Sequence, residues 1–203
     1  MRKEYKKTID FYNNNSIEYA KKSGVVFSKF LDIFISKIKK KEVLDIGCGP
    51  GHDSDYFYSN GIRVLGIDMS HSMINLAKRR YGKKIKFEIN NVLDDDFFSK
   101  YKIKNLWMSA LIMHFSGDDR SKFLKSVNNF IESVGMLGMI VPKSKKGDLR
   151  KINWEKNGCI FNTFSKKDIN LILKEGDFKV IFIKEFIFRK QPWWFIVCKN
   201  RKN

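Results

Sequence analysis

Apolar residues along this chain fall into short runs that alternate between two periods. Val43, Leu44 and Ile46 mark a strand over 42–46. The runs IRVLGID (62–68), KIKFEIN (84–90), LWMSALIM (106–113) and MLGMIV (136–141) read as four more strands. Helical spacing lies between and before them. Ser23 to Lys39 carries Val26, Phe27, Phe30, Leu31, Phe34, Ile35 and Ile38 on one stripe, with lysines at 37 and 39–41 suiting a negative helix end. A short helix over 52–59 ends near Gly61, and Ser70 caps a helix that runs to Arg80 and stops at Gly82. Residues 119–133 carry Phe123, Leu124, Val127, Phe130 and Ile131 at helical spacing. Ser165 and Asp168 form a capping-box start for a helix to Glu175. Two last runs, 178–188 and 194–199, are joined by a link too short for a crossover, so they pair antiparallel. The alternation predicts an α/β fold: a mostly parallel seven-stranded sheet, helices on both faces and a terminal antiparallel hairpin. One domain over 1–203 is expected, with 1–41 as a helical segment ahead of a core at 42–203.

The most informative stretch is EVLDIGCGPGHDSDYF, 42–57. A buried strand ends beside Asp45 and feeds a turn with Gly47, Gly49 and Gly51, and then a helix start. Such a turn lets a ligand touch bare backbone. The glycines are spaced G-x-G-x-G, and His52 stands where the dinucleotide fingerprint G-x-G-x-x-G has its third glycine. A carboxylate at the strand end suits a hydroxyl or an ammonium group and repels a pyrophosphate. A second acid, Asp68, follows 23 residues after Asp45 at the end of another strand, placed to accept hydrogen bonds from a ribose diol. The plain alternative is a tight turn with a capping aspartate.

Composition narrows the classes. No stretch reaches 18 apolar residues, so no transmembrane helix is expected. The charged start MRKEYKKTID has no apolar run behind it and does not read as a secretory signal. Cys48, Cys159 and Cys198 are odd in number and far apart, which fits a reducing, cytoplasmic setting. Three separated histidines give no zinc spacing, and no metal is expected. The net charge is +18, from 40 basic and 22 acidic residues. That favours anionic partners. With 32 Lys, 8 Arg and 16 Asn, however, the excess fits a background coding bias better than dedicated phosphate recognition, which recruits arginine.

The motifs LDIGCGPG (44–51), VLGIDMSHSMINLAKRR (64–80), FEINNVLDDDF (87–97) and LWMSALIMHF (106–115) resemble those of the class I S-adenosylmethionine-dependent methyltransferases, which have a Rossmann-like core. TIDFYNNNSIEYA (8–20) is similar to that family's Tyr-containing N-terminal lid, and 158–180 to a late aromatic-rich segment of small bacterial members. The resemblance implies S-adenosyl-L-methionine as cofactor and S-adenosyl-L-homocysteine as product. It implies that Asp45 and the turn Gly47, Cys48, Gly49 and Gly51 hold the methionine end, with Cys48 a small filler. It implies that Asp68 binds both ribose hydroxyls, Met69 packs on the adenine and Val92 offers backbone contacts. Asn91 stands where the family usually has an aspartate reading the adenine amino group. Ser109 and His114 are implied near the sulfonium and the substrate entrance, and Tyr12 as closing over the cofactor. The acid the family often has before strand four is absent at Lys104-Asn105.

Methyl transfer from a sulfonium needs alignment and exclusion of water; a base helps where the acceptor must lose a proton. His114 is the candidate base, its plain alternative being a histidine that ends a strand. Asp94-Asp95-Asp96 reads as a solvated turn, Trp107, Trp193 and Trp194 as packing, and Phe161 and Phe164 as core or acceptor-pocket residues. The run Lys143 to Lys151 is either a solvated loop or an anion-steering lip. The expected activity is methyl transfer to the O, N or S of a small molecule. The alternatives are an RNA methyltransferase using the basic surface, with tRNA the expected substrate, and a catalytically silent cofactor-binding partner. The acceptor and the oligomeric state are left open.

Overall fold

The structure is a computed structural model that describes residues 3–23, 27–144, 159 and 161–201. Helices α1 (Lys3–Ser23) and α2 (Ser28–Lys37) precede β1 (Glu42–Ile46), α3 (His52–Ser59), β2 (Arg63–Asp68), α4 (His71–Tyr81) and β3 (Lys86–Ile89). Then follow β4 (Leu106–Ser109), α5 (Gly117–Phe130), β5 (Met136–Pro142), α6 (Lys166–Glu175), β6 (Phe178–Phe188) and β7 (Gln191–Asn200). They build one seven-stranded sheet in the order β3-β2-β1-β4-β5-β7-β6, parallel except that β7 pairs antiparallel with both β5 and β6. This is the seven-stranded α/β sheet expected from the alternation of periods, in the Rossmann-like form that the motif resemblance implies.

Both faces are covered because the central strands are apolar on both sides along most of their length, so alternate side chains enter opposite layers. In β7, Trp194, Ile196 and Cys198 join Leu124, Val127, Ile169 and Leu173 of α5 and α6. Phe195 and Val197 join Leu31, Phe34, Phe57 and Ile74 of α2, α3 and α4 on the other face. Gly138 in β5 admits the rings of that second layer: a Cβ there would lie 2.5 Å from Trp107 and 2.7 Å from Phe34. Trp107, Trp194 and Phe164 are packing residues, buried to 0–8% exposure.

Three element boundaries differ from expectation. The helix predicted over 23–39 is the shorter α2, Ser28–Lys37, preceded by a separate helix α1. The stripe Leu31, Phe34, Ile38 serves α2, and Ser23 ends α1; Val26 lies outside the described residues. Strand four stops at Ser109 instead of running to Met113. Ala110 takes φ +55°, and Ile112–His114 form a 3-10 turn. The apolar run Leu111-Ile112-Met113 is buried as a turn, which period alone does not separate from a buried strand. The helix predicted over 119–133 starts earlier, because Ser116 accepts the Asp119 N–H as its cap, and ends at Phe130. The basic run 143–151 lies, after Ser144, outside the described residues.

Candidate cofactor and methyl-acceptor cleft

Strand order reverses between β1 and β4. β2 and β3 lie to one side, β5 to the other, and the carboxyl ends of β1 and β4 diverge into a cleft. Its floor is the turn after β1. Gly47, Gly49 and Gly51 sit at φ +71°, +53° and +85°, which side chains with a Cβ resist. A Cβ on Gly49 would meet nothing within 4 Å, so the bare backbone faces open space. Gly51 has another task. It caps α3, and a Cβ there would press Phe87, Tyr81 and Ala77 at 3.0–3.2 Å.

The cleft has two connected lobes that share Tyr19, Gly47, Gly49, Ser109 and Ala110. The first, about 780 Å³, is also lined by Tyr12, Asp68, Met69, Val92, Leu111 and His114. The second, about 870 Å³, is lined by Asp45, Cys48, His52, Asp53, Lys22 and Arg189 among others. The fold thus brings together ten of the twelve residues singled out from sequence. Gly51 and Asn91 line neither lobe. The Asn91 side chain accepts from Leu93 N (3.0 Å) and donates to Asp94 (2.5 Å), closing the turn after β3.

Asp68 is held by its own loop. One carboxylate oxygen accepts from Gly49 N at 2.9 Å and the other from Ser70 N at 2.8 Å. A carboxylate offers about four lone-pair sites, and the Met69 N–H also bears on this one, so it keeps acceptor capacity for a ligand without being saturated. Burial pushes its pKa up, against the pull of those backbone donors. Asp45 is 2% exposed and accepts from Ser54 Oγ at 2.5 Å. Burial, and then the neighbouring Asp53, push its carboxyl well above the usual range. Asp53, in the first turn of α3, accepts from Trp107 Nε1 at 2.8 Å; burial raises it to about 6. Helix α1 roofs the cleft. Asn13 Oδ1 accepts from Ser70 Oγ (2.7 Å) and Ser72 N (3.2 Å), and the Ala20 carbonyl pairs with His52 Nε2 (3.1 Å). At its start, Tyr5 donates to Asp119 and accepts from Ser116 N. Tyr12 meets His114 Nε2 at 3.1 Å, with Phe161 edge-on to the same imidazole. Burial raises both Tyr12 and Tyr19, the latter to about 12, so both are neutral phenols.

Sequence reasoning did not single out Tyr5, Tyr19, Lys22, Asp53, Ser54 or Arg189. Asp53 and Ser54 follow the glycine turn directly and carried a signal, since acids at a helix start otherwise pass for dipole partners. The others come from α1 and the β6–β7 turn, far away in sequence. Among the described residues, no group of three or more His, Cys, Asp or Glu could hold a metal ion, and no helix is long and apolar enough to cross a membrane.

The fold and its glycine-lined switch-point cleft define a class I methyltransferase architecture. Residues 43–135, a little under half of the chain, match the family described as a methyltransferase domain, which is consistent with the S-adenosylmethionine-dependent class. A solved S-adenosylmethionine-dependent methyltransferase from Anabaena variabilis superposes on 96% of this chain and 95% of its own, with TM-score 0.75 at 18% identity. The 1,6-didemethyltoxoflavin-N1-methyltransferase of Burkholderia thailandensis was solved with 1,6-didemethyltoxoflavin and S-adenosylhomocysteine. It matches at TM-score 0.78 and 16% identity, over 97% of this chain and 87% of its own. At such identities the likeness is one of fold. A ubiquinone biosynthesis O-methyltransferase of Coxiella burnetii is 40% identical over 58 residues, which are 29% of this chain and 24% of that protein. The chain thus spans about a quarter of the length of that curated relative.

Proposed function

We propose that this chain binds S-adenosylmethionine in the switch-point cleft and transfers its methyl group to a small molecule. The observation that carries the reading is the roofed cleft itself, where a bare glycine turn, a backbone-anchored Asp68 and buried Asp45 converge under α1. The donor set fits the cofactor. The remaining acceptor capacity of Asp68 matches a ribose hydroxyl. Two neighbouring carboxylates, buried Asp45 and half-buried Asp53, match the cations of a sulfonium and an α-ammonium. When bound, the cofactor supplies an activated methyl group. The chain's part is to align, to exclude water and to handle a proton.

Alignment falls to the glycine turn and Asp68 on the cofactor side, and to Ser109, Ala110 and Leu111 where β4 turns away beneath the first lobe. Tyr12 and Tyr19 in the roof keep water out as neutral rings. His114 is the group that takes a proton from a hydroxyl or thiol acceptor, and Tyr12 fixes its ring through Nε2. The acceptor is small because α1 lies across the cleft and leaves aromatic walls, Tyr5, Tyr12 and Phe115, around the His114 end. The toxoflavin-type and ubiquinone-pathway relatives, which are small-molecule enzymes by name, support the same class.

Calorimetric titration with S-adenosylmethionine and S-adenosylhomocysteine tests the reading. Binding of both is expected, weakened about 10-fold or more in Asp68→Ala, which removes that charged acceptor. Absence of binding by the native chain overturns it. Methyl incorporation into bulk tRNA, but into no small acceptor, would transfer the reading to RNA.

A further inference from the structure

The second lobe carries charges that the glycine turn does not explain. From the core side come two carboxylates, buried Asp45 at the end of β1 and half-buried Asp53 in the first turn of α3. Each has one oxygen tied down, by Ser54 Oγ at 2.5 Å and by Trp107 Nε1 at 2.8 Å, so each keeps an oxygen for the lobe. From outside the core come two cations. Lys22 lies near the end of α1 and is ion-paired with Glu18. Arg189 lies at the tip of the β6–β7 hairpin and has no carboxylate partner among the described residues. Its guanidinium donates to the Lys22 carbonyl and lies 5.0 Å from the Phe188 ring, so it is held against the lobe. The tip adopts a two-residue turn with Arg189 and Lys190 at φ +50° and +64°, the geometry of a tight hairpin, which fixes where the arginine can reach. Tyr19 stands between the two signs of charge: Asp68 and Asp53 raise its phenol, and Arg189 lowers it.

Acids from α3 and β1 with a cation from a separate hairpin suit a ligand end that carries both charges, an ammonium and a carboxylate on one carbon. We propose that Asp53 and Arg189 are specificity-determining residues that clamp the α-amino-acid end of the cofactor, Asp53 beside Asp45 on the ammonium and Arg189 on the carboxylate. This rests on the cofactor reading above and extends it to the terminal hairpin. The hairpin becomes part of the site as well as the edge of the sheet. A planar, always-charged guanidinium can take a carboxylate in two parallel hydrogen bonds.

Three probes separate the parts: S-adenosylmethionine, its decarboxylated analogue, and methylthioadenosine, which lacks the whole amino-acid end. Calorimetry with native protein, Asp53→Asn and Arg189→Gln is expected to give a crossed pattern. Arg189→Gln weakens S-adenosylmethionine about 10-fold and leaves the decarboxylated analogue within about twofold, as the loss of one charge-assisted contact requires. Asp53→Asn weakens both and spares methylthioadenosine. Titrations of native protein and Asp53→Asn in buffers of different ionisation enthalpy add a second readout: binding to native protein releases more protons. Variants that bind all three probes like native protein overturn the proposal. So does equal weakening of all three, which marks a collapsed lobe. Native protein that binds none of the probes removes the cofactor reading and this proposal with it, whereas native binding with unselective variants removes this proposal alone.

Discussion

Asp53 costs the ligand-free fold stability at neutral pH. Its folded pKa, about 6, lies above the ordinary aspartate value of 3.8, so the folded state holds its proton more tightly than the unfolded chain. Stability from this group is therefore fully present below pH ~4, falls as pH rises through the window to ~6, and is lost above it. At 1.36 kcal/mol per unit the penalty is at most roughly 3 kcal/mol. Asp53→Asn keeps an acceptor for Trp107 Nε1 and removes the charge. The variant is expected to be more stable than native protein at pH 7.5 by about 1–3 kcal/mol, with the gap closing at pH 4. Urea midpoints at the two pH values measure it; an unchanged gap refutes the burial argument. Gain of stability with loss of ligand is the mark of a residue kept for binding. At this scale the sequence was most legible where backbone conformation demands a residue type, as at Gly47 and Gly49. It was least legible where a side chain's task depends on a distant partner, as for Asp53 with Trp107 or Arg189 with Lys22.

Helix α1 shows the same limit for a whole element. Its buried positions are Tyr5, Thr8, Ser16 and Ala20, a weakly apolar face that no hydrophobic period announces, because it packs over a cleft rimmed by polar groups and not over the core. The helices of the core were readable since Leu31, Phe34, Phe123 and Leu124 must reach a greasy layer. Asn13 is the main polar tie between α1 and α4. Asn13→Ala is expected to loosen the roof by about 1 kcal/mol while leaving α4 capped, since Ser70 Oγ still accepts from Met73 N at 3.2 Å. Hydrogen exchange should quicken across α1 and stay unchanged in β1 and β4. Equal acceleration everywhere would show that α1 is part of the global fold.

For the molecule as a whole, charge is the dominant feature. Besides the net +18, a groove of about 1010 Å³ at the amino ends of β1 to β4 gathers Arg63, Lys84, Lys86, Lys100, Lys102 and Lys104. Four of these have ion-pair partners, Glu42, Glu88, Asp96 and Glu132, and such mostly exposed pairs contribute little. Self-repulsion should therefore outweigh the pairs. Raising ionic strength from about 10 mM to about 100 mM shortens the screening length from about 30 Å to about 10 Å and is expected to raise the melting temperature. A fall would mean that the pairs matter more than the excess. The sheet has a further consequence, in the order of its making. β7 follows every other strand in the chain yet sits between β5 and β6. As the chain is synthesised, the apolar edge of β5, Leu137 to Val141, stays bare until β7 arrives. Nascent molecules thus expose a sticky strand longest, and a stop codon ahead of β7 would leave a protein that aggregates although its cleft residues up to His114 are all present.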